Sequence, residues 1–295
     1  MFLKKLRETR IWKRIFLERL TEPLHLNVLA ALIWPFGTFR MKVAWDLVLR
    51  HQHAFGLLTA ADSAAALGLK SLTVVELGVG TGAGLRNLCA LAPRVTRLTG
   101  INFQIIGVDS GGGLPEPRDY RDHPEYYATG EYAMDVAAVR QRLPANASLI
   151  LGDMQEVVPD VVARLSTESP LGFVSIDVDY YWSARDALPL FEAEASRYLP
   201  IMPLYVDDIG FAGHNPWCGE WLALEEFNAG HERRKIARFN MLREERIFKH
   251  ARWISRMYTL HVFDHPARTP RAQQKRFESS PPDPLSTSWR GETNL

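Results

Sequence analysis

Residues 72–84 read Leu-Thr-Val-Val-Glu-Leu-Gly-Val-Gly-Thr-Gly-Ala-Gly, an apolar run that passes directly into four alternating glycines. The apolar half is typical of a strand that is covered on both faces. Glycines at alternate positions permit a tight turn and let a ligand approach the backbone closely. A helix that begins at Gly84 points its free N–H groups at that ligand. The stretch therefore predicts a strand, a ligand-binding turn and a helix, in that order.

Strand-like and helical patterns continue to alternate along the chain. The predicted strands are Leu72–Leu77, Gln104–Asp109, Ser148–Leu151, Gly172–Asp177 and Pro203–Asp207. The predicted helices are Gly84–Ala92, Met134–Leu143, Gln155–Leu165 and Ser183–Tyr198, the last opened by a capping-box-like pair, Ser183 and Asp186. This alternation predicts an α/β protein with a doubly wound, mostly parallel sheet and helices on both faces. Ligands of such sheets bind beyond the carboxyl ends of the strands.

The composition is that of a globular protein. Of the 295 residues, 46% are hydrophobic and 23% are charged, which excludes a disordered chain and a polytopic membrane protein. Lys and Arg number 35 against 34 Asp and Glu, so the net charge of +1 gives no general attraction to nucleic acid. Two cysteines exclude a disulfide framework and suit a reducing compartment. We therefore expect a cytoplasmic protein that does not bind nucleic acid.

The two ends of the chain differ from its middle. Residues 1–19 hold seven Lys or Arg against two Glu, a local charge of +5, among apolar residues at helical spacing. The apolar run Leu24–Phe36 follows, shorter than the roughly 20 residues that span a bilayer. Residues 1–36 therefore predict either a peripheral membrane contact or a helix packed on the main domain or on a dimer partner. The expected division is a helical extension (1–50), a ligand-binding domain (51–265) and a disordered tail (266–295).

Acidic residues stand at the ends of the first three predicted strands. Glu76 precedes the glycines, where a carboxylate can hold an amine. Asp109 suits a ribose diol, although a strand-end Asp also caps the next turn. Asp153 can accept a hydrogen bond from the amine of adenine, with Met154 packed on the ring, or it caps the helix that follows. The glycine spacing also satisfies a loose dinucleotide fingerprint, so an NAD(P)-dependent oxidoreductase is an alternative.

Three more aspartates follow the fourth and fifth strands. Asp177, Asp207 and Asp208 would meet at one edge of the sheet, and clustered carboxylates repel each other unless they hold a cation or a proton. No Lys or Arg occurs in residues 176–182 or 206–215. A hard divalent cation such as Mg²⁺ is therefore the simplest counter-charge. The alternative is that one Asp caps a helix while another pairs with an Arg.

These motifs together resemble a known family. Five segments resemble class I S-adenosylmethionine-dependent methyltransferases, in particular the macrocin O-methyltransferase branch. They are the stretch from Glu76, the Gly107–Pro115 segment, Gly152-Asp153, Ile176–Tyr181 and Asp207-Asp208. The resemblance covers residues 55–265. It implies a seven-stranded Rossmann-like domain, and the implied metal ligands are Asp177, Asp207 and Asp208. The expected contacts to the cofactor are Glu76, Gly78, Gly80, Gly82, Asp109, Ser110, Asp153 and Met154.

The function expected from this interpretation is O-methylation of a small-molecule hydroxyl group, with S-adenosylmethionine as methyl donor and Mg²⁺ as a possible second cofactor. Asp179 and His214 are the candidate general bases, although His214 also fits an ordinary polar loop residue. The aromatic residues near them would form either an acceptor wall or core. A homodimer is a further possibility. The remaining alternatives are the NAD(P)-dependent oxidoreductase and a non-catalytic, membrane-associated binding module.

Overall fold

A seven-stranded sheet forms the centre of the protein. The computed structural model describes residues 18–210 and 213–268. The strand order is β3-β2-β1-β4-β5-β7-β6. The strands are β1 (Ser71–Leu77), β2 (Asn102–Asp109), β3 (Ala147–Leu151), β4 (Leu171–Ile176), β5 (Ile201–Val206), β6 (Arg234–Arg238) and β7 (Met257–Val262). Strands β1 to β5 pair in parallel, whereas β7 is antiparallel to both β5 and β6.

Helices connect the strands and cover the sheet. They are α1 (Leu24–Phe36), α2 (Phe39–Ala44), α3 (His51–Ala66), α4 (Ala83–Thr99), α5 (Val136–Arg140), α6 (Met154–Arg164), α7 (Tyr181–Ala187), α8 (Gly219–Gly230) and α9 (Leu242–Glu245). Helix α3 packs on α4 and on β4 and β5, while α7 packs between α6 and α8 in a second layer. The predicted α/β, doubly wound and mostly parallel sheet is confirmed.

The predicted helix Ser183–Tyr198 is wrong at both ends. Helix α7 begins two residues earlier, with Tyr180 at its N-cap, and it ends at Ala187. The chain then forms short 3₁₀ turns, because Pro189 lacks an N–H and its ring excludes the helical carbonyl four residues before it. The capping box is wrong as well, since Asp186 accepts a hydrogen bond from its neighbour Arg185 at 3.0 Å.

Helix α4 is longer than predicted. The sequence suggests an end at Ala92, before Pro93, but the helix continues to Thr99 with that proline inside it. Leu91, Ala92 and Val95 are buried on the same side, so packing outweighs the hydrogen bond that proline cannot donate.

The segment between α1 and α3 is built into the main core. Val43 and Val48 are buried. The buried Arg246 pairs with Asp46 and also donates to the carbonyl of Val43 at 2.7 Å. We therefore propose that the helical extension ends near the start of α2 rather than at residue 50.

The basic segment 1–17 and residues 269–295 lie outside the described residues. Within the described ranges, no helix has the length and apolar character needed to cross a membrane.

The strand ends that matter for ligand binding lie level with one another. Leu77 of β1 pairs with Ile176 of β4, and Ile176 pairs with Val206 of β5. Strand β1 lies between β2 and β4, where the order of the sheet reverses. Residues that follow β1, β4 and β5 therefore meet at the switch point, the usual binding crevice of such sheets.

Candidate active site

A cavity of about 550 Å³ lies over this switch point. Eleven of the thirteen residues predicted for the site line it: Glu76, Gly78, Gly80, Asp109, Ser110, Asp153, Met154, Asp177, Asp179, Asp207 and Asp208. Gly82 and His214 are not among the lining residues. Gly82 is the N-cap of α4, and His214 lies beside the cavity-lining Tyr127, with 3.4 Å between His214 Nε2 and the tyrosine hydroxyl.

The glycine turn brings β1 and β4 into direct contact. Gly78 has a φ of +82°, in the region that favours glycine. A Cβ atom on Gly78 would lie 1.7 Å from the carbonyl oxygen of Asp177. Any side chain at this position would therefore push apart the two strand ends that form the floor of the cavity.

Glu76 lies under the first turn of α4 with one carboxylate oxygen unpaired. Its side chain is buried, and Oε2 makes no hydrogen bond. A Cβ on Gly84 would lie 1.7 Å from Glu76 Oε1, so the glycine is what leaves room for this carboxylate. Burial raises the Glu76 pKa to about 8. A buried, unpaired carboxylate at the cavity wall is a receptor for a cationic group.

Asp109 holds the glycine turn in place. Its Oδ2 accepts hydrogen bonds from the N–H groups of Val79 and Gly80, each at 2.8 Å. Its Oδ1 accepts from the Gly111 N–H at 2.6 Å. The capping role considered for this residue is thus present, and it ties the turn after β1 to the turn after β2. A carboxylate has about four lone-pair positions, so Asp109 retains capacity for a ligand hydroxyl.

Asp153 stands at the N-cap of α6, but its side chain makes no capping hydrogen bond there. Its carboxylate and the partly buried Met154 both line the cavity. The helix-capping alternative therefore does not account for Asp153. Ser110 is already engaged, because its hydroxyl donates to the Gly113 carbonyl at 2.9 Å.

The three aspartates predicted as metal ligands do come together. One carboxylate oxygen from each of Asp177, Asp207 and Asp208 lies within 4.8 Å of the others. Burial, together with the neighbouring negative charges, raises the pKa values of Asp177 and Asp208 well above the usual range. Asp208 Oδ2 is buried and makes no hydrogen bond. An orphaned oxygen in a cluster of hard oxygen ligands fits a divalent cation.

The alternative in which one aspartate pairs with an arginine is present at Asp207, although no Lys or Arg lies nearby in the sequence. Arg256, which precedes β7, places Nη1 2.6 Å from Asp207 Oδ1. The Tyr205 hydroxyl also donates to the same oxygen. Arg256 is 49 positions from Asp207 in the sequence, and it reaches this site because β7 pairs with β5. One arginine still leaves the cluster with excess negative charge.

Glu220 is a site residue that sequence reasoning did not identify. It is buried on α8, and its two oxygens accept from the N–H groups of Val178 at 3.0 Å and Asp208 at 3.1 Å. It therefore joins the turn after β4 to the turn after β5. Burial and the charge of Asp208 raise its pKa well above the usual range.

Asp179, one of the two candidate general bases, lines the cavity. Its φ of +62° is unusual for a residue other than glycine, and such strain is commonly found at functional sites. Burial raises the Asp179 pKa to about 6, close enough to neutral pH for reversible proton transfer. Burial lowers the pKa of His214 to about 4, which makes it a weaker base. His214 does not line the cavity, but it lies against Tyr127, which does.

The aromatic residues considered as an acceptor wall divide between two roles. Tyr127 lines the cavity, together with Tyr132. Tyr180 and Tyr181 are buried core residues, and Tyr126 is largely exposed. Trp182 is covered by guanidinium groups, including that of Arg185 at 4.1 Å. Of the aromatic residues considered for the wall, Tyr127 therefore lines the cavity, whereas Tyr180 and Tyr181 belong to the core.

Arg50 is the third residue that sequence reasoning missed. It is the N-cap of α3, with a left-handed φ of +51°, and it lines the cavity. Its positive charge acts on Glu76, lowering that residue's pKa against the effect of burial. No local motif marks this position, because what brings it to the cavity is the packing of α3 against the sheet.

The charge of the cavity is its most informative property. Among the described residues that line it, seven carry a carboxylate and one, Arg50, carries a positive charge. The carboxylates are Glu76, Asp109, Asp153, Asp177, Asp179, Asp207 and Asp208. A ligand with net positive charge, or a ligand accompanied by a cation, complements such a surface.

Comparison with known sequences gives little support for any activity. No protein-family model matches the sequence. A probable esterase of Oryza sativa subsp. japonica is 26% identical over 154 residues, covering 48% of this chain and 55% of that protein. The chain thus spans about half the length of this curated relative. The full sequence contains no Gly-x-Ser-x-Gly motif, the nucleophile turn of α/β-hydrolase esterases.

Several solved structures share part of the architecture. The calicheamicin methyltransferase CalS11 is 20% identical, covers 69% of this chain and 83% of its own, and gives a TM-score of 0.44. An O-methyltransferase from Bacillus cereus in complex with SAH is 12% identical, with coverages of 79% and 96% and a TM-score of 0.39. MycE, in complex with Mg, SAH and mycinamycin VI, is 14% identical, with coverages of 68% and 48% and a TM-score of 0.36. Similarity at this level leaves the chemistry to be argued from the cavity itself.

Proposed function

We propose that this protein is an S-adenosylmethionine-dependent methyltransferase that acts on a hydroxyl group of a small molecule. The observation that carries the proposal is the cavity at the switch point, with seven carboxylates and a single guanidinium among its described lining residues. S-adenosylmethionine carries a sulfonium and an ammonium group against one carboxylate, so its net positive charge suits this surface. Its three parts also match three separate features of the cavity.

The first feature is Glu76, whose buried and unpaired Oε2 would accept the ammonium group of the methionine part. The second is Asp109, which retains lone pairs for the ribose hydroxyls while it holds the glycine turn. The third is Asp153 with Met154, where an uncapped carboxylate and a thioether suit the amine and the ring of adenine.

The dinucleotide alternative conflicts with the same charges. A pyrophosphate binds at a helix N-terminus because free N–H groups and the helix dipole face it. Here the first turn of α4 lies over the Glu76 carboxylate, with Asp109 beside the glycine turn. Two phosphate charges would meet two carboxylates at this point, and such like-charge contacts cost several kcal/mol. NAD(P) is therefore the weaker candidate.

The proposed reaction is a single in-line displacement. When bound, S-adenosylmethionine supplies an electrophilic methyl group; the acceptor oxygen forms the new bond to carbon, and the electron pair of the broken carbon–sulfur bond stays on sulfur. Asp179 takes the proton of the acceptor hydroxyl, which its raised pKa of about 6 suits. The chain's main contribution is to align the acceptor along the wall formed by Tyr127 and Tyr132.

A divalent cation, with Mg²⁺ as the best candidate, would be held by Asp177, Asp207 and Asp208. When bound, such an ion lowers the pKa of a coordinated hydroxyl and orients it. The Asp208 Oδ2, which has no hydrogen-bond partner, is the protein atom that most needs this ion. Arg256 would share Asp207 with it and fix the orientation of that carboxylate.

Calorimetry with S-adenosylhomocysteine, S-adenosylmethionine and NADH tests the proposal. Both sulfur nucleosides should bind and NADH should not. Glu76→Gln should weaken S-adenosylmethionine binding about tenfold or more, since a charged hydrogen bond contributes roughly 1.5–3 kcal/mol. Glu156→Gln, on the first turn of α6, serves as a matched control. Binding of NADH alone would overturn the proposal. Binding of S-adenosylmethionine without transfer to any of a panel of hydroxylated acceptors would favour the binding-module alternative.

A further inference from the structure

Helix α1 presents a broad apolar surface to solvent. Leu24, Leu32, Trp34 and Phe36 are 77%, 58%, 63% and 88% exposed, while Ala30 is the helix residue that is buried. Residues 23–39 contain no Asp, Glu, Lys or Arg. Of the exposed residues on the helix, His25 is polar and the others are apolar. A large exposed apolar surface of this kind marks an interaction site.

The start of α1 is tied to the rest of the molecule, so this exposure is a property of the fold. Asn27 Nδ2 donates to the Arg19 carbonyl at 2.8 Å. The backbone N–H of His250 donates to the buried Glu22 at 2.7 Å, just before the helix begins. Arg19 donates to the Asp46 carbonyl at 2.7 Å. These bonds fix the helix against the domain and leave its apolar side outward.

Charge decides which occupant suits this surface. The sequence immediately before α1, residues 1–19, carries a net charge of +5. An anionic lipid surface attracts this basic segment and accepts apolar side chains, whereas a second copy of the chain carries the same positive charge and gives no such attraction.

We infer that α1 and the basic residues before it dock the protein onto an anionic membrane surface. A helix of 13 residues is about 20 Å long, too short to cross the hydrocarbon core, so it lies in the plane of the interface. Apolar insertion and basic charge are two separate signals, and stable but reversible membrane attachment generally needs two. This inference is independent of the proposed methyl transfer.

Flotation of the full-length protein with vesicles tests the inference. Vesicles of phosphatidylcholine with about 30% phosphatidylserine should carry the protein into the floating fraction. Vesicles of pure phosphatidylcholine should carry about tenfold less protein into that fraction. Raising the salt concentration should weaken the attachment, because screening acts on the charge contribution. The double variant Val28→Asp/Leu32→Asp should remain with the unbound fraction. The triple variant Arg10→Gln/Lys13→Gln/Arg14→Gln should also remain with the unbound fraction at physiological salt.

Leu98→Asp is the matched control, since it places the same charge on an exposed leucine of α4. It should float like the wild type. Thermal unfolding and S-adenosylhomocysteine binding should be unchanged in the α1 variants, which shows that they are folded. Absence of flotation with either vesicle would overturn the inference. So would a dimer, measured by sedimentation, that Val28→Asp/Leu32→Asp dissociates, because α1 would then join two copies.

Discussion

Arg256 Nη1 lies 2.6 Å from Asp207 Oδ1, so an arginine that precedes the antiparallel strand β7 supplies the counter-charge for the aspartate cluster after β4 and β5. The pair is partly buried, with the Tyr205 hydroxyl donating to the same carboxylate oxygen. One positive charge compensates one of the three clustered carboxylates. The remaining excess of negative charge is the physical reason to expect a cation at this site.

Arg256→Met should therefore lower stability by about 1–3 kcal/mol, because it leaves Asp207 without a positive partner in a partly buried site. Added Mg²⁺ should restore more stability to this variant than to the wild type, since the ion can replace the lost charge. Urea unfolding with and without Mg²⁺ measures both effects. Arg185→Met is the control, as its pair with Asp186 is more exposed and should contribute little. An equal response of wild type and variant to Mg²⁺ would argue against a cation site.

Asp208→Asn should abolish metal-dependent turnover while leaving S-adenosylhomocysteine binding within about twofold of the wild type. The reason is that Asp208 belongs to the cluster and not to the three features assigned to the nucleoside. Mn²⁺ binding measured by electron paramagnetic resonance should weaken in the same variant. Asp160→Asn, on the exposed side of α6, should change neither property. Full turnover of metal-stripped enzyme in EDTA would exclude the metal role and leave Asp179 as the base.

Glu76→Gln should change how stability depends on pH. The folded protein holds a proton on Glu76 up to a pKa of about 8, whereas the ordinary value is 4.5. Between these values the folded state binds more protons than the unfolded state, so the stability of the wild type falls as pH rises. Glutamine has no such proton. The variant should therefore melt several degrees above the wild type at about pH 8.5 and close to it at about pH 4.5. Parallel melting curves would contradict burial of an unpaired carboxylate.

The same titration of Glu76 has an opposite effect on ligand binding. An ammonium group pairs with the ionised Glu76, so the affinity of the wild type for S-adenosylhomocysteine should fall as pH drops below about 8, by up to tenfold per pH unit. Calorimetry across this range measures the slope. Glu76→Gln should bind weakly at every pH and show little of this dependence.

Arg50 should recognise the carboxylate of the methionine part. It lines the cavity near Glu76, and a guanidinium forms strong charge-assisted hydrogen bonds with a carboxylate. Arg50→Met should weaken S-adenosylhomocysteine binding about tenfold to a hundredfold. Binding of methylthioadenosine, which lacks the amino-acid part, should be nearly unchanged. Equal losses for the two ligands would mean that the substitution disturbs the cavity rather than one contact.

A chain that begins at Gly37 should retain the affinity for S-adenosylhomocysteine. The cavity is lined by residues from Arg50 onward, and α1 buries only Ala30 among its own residues. Loss of Glu22 removes its bond to His250, so a small decrease in melting temperature is expected. If the shortened chain folds but does not bind, the segment before Gly37 belongs to the site.

The local sequence predicted the five parallel strands and the acidic residues that line the cavity at their ends. Apolar runs with glycines and aspartates at their ends predicted β1 to β5 closely, because a buried parallel strand needs continuous apolar residues and its end is where polar residues can face a ligand. This pattern identified four acidic residues at the strand ends. Glu76 lies within β1, Asp109 ends β2, and Asp153 and Asp177 come just after β3 and β4. The meeting of Asp177 with Asp207 and Asp208 followed from the expectation that their strands are neighbours.

The tertiary structure alone decided the partners of these residues. Arg256 precedes β7, Glu220 lies on α8, and Arg50 is at the start of α3. No local pattern marks these three residues, because their roles depend on how distant elements pack. Only the packed molecule shows that Asp109 accepts two backbone hydrogen bonds from the glycine turn and one from the turn after β2, and that Glu76 keeps an unpaired oxygen. The sequence shows which ionisable groups are present and where they stand along the chain. Their charge balance and burial depend on contacts between residues that are far apart in the chain.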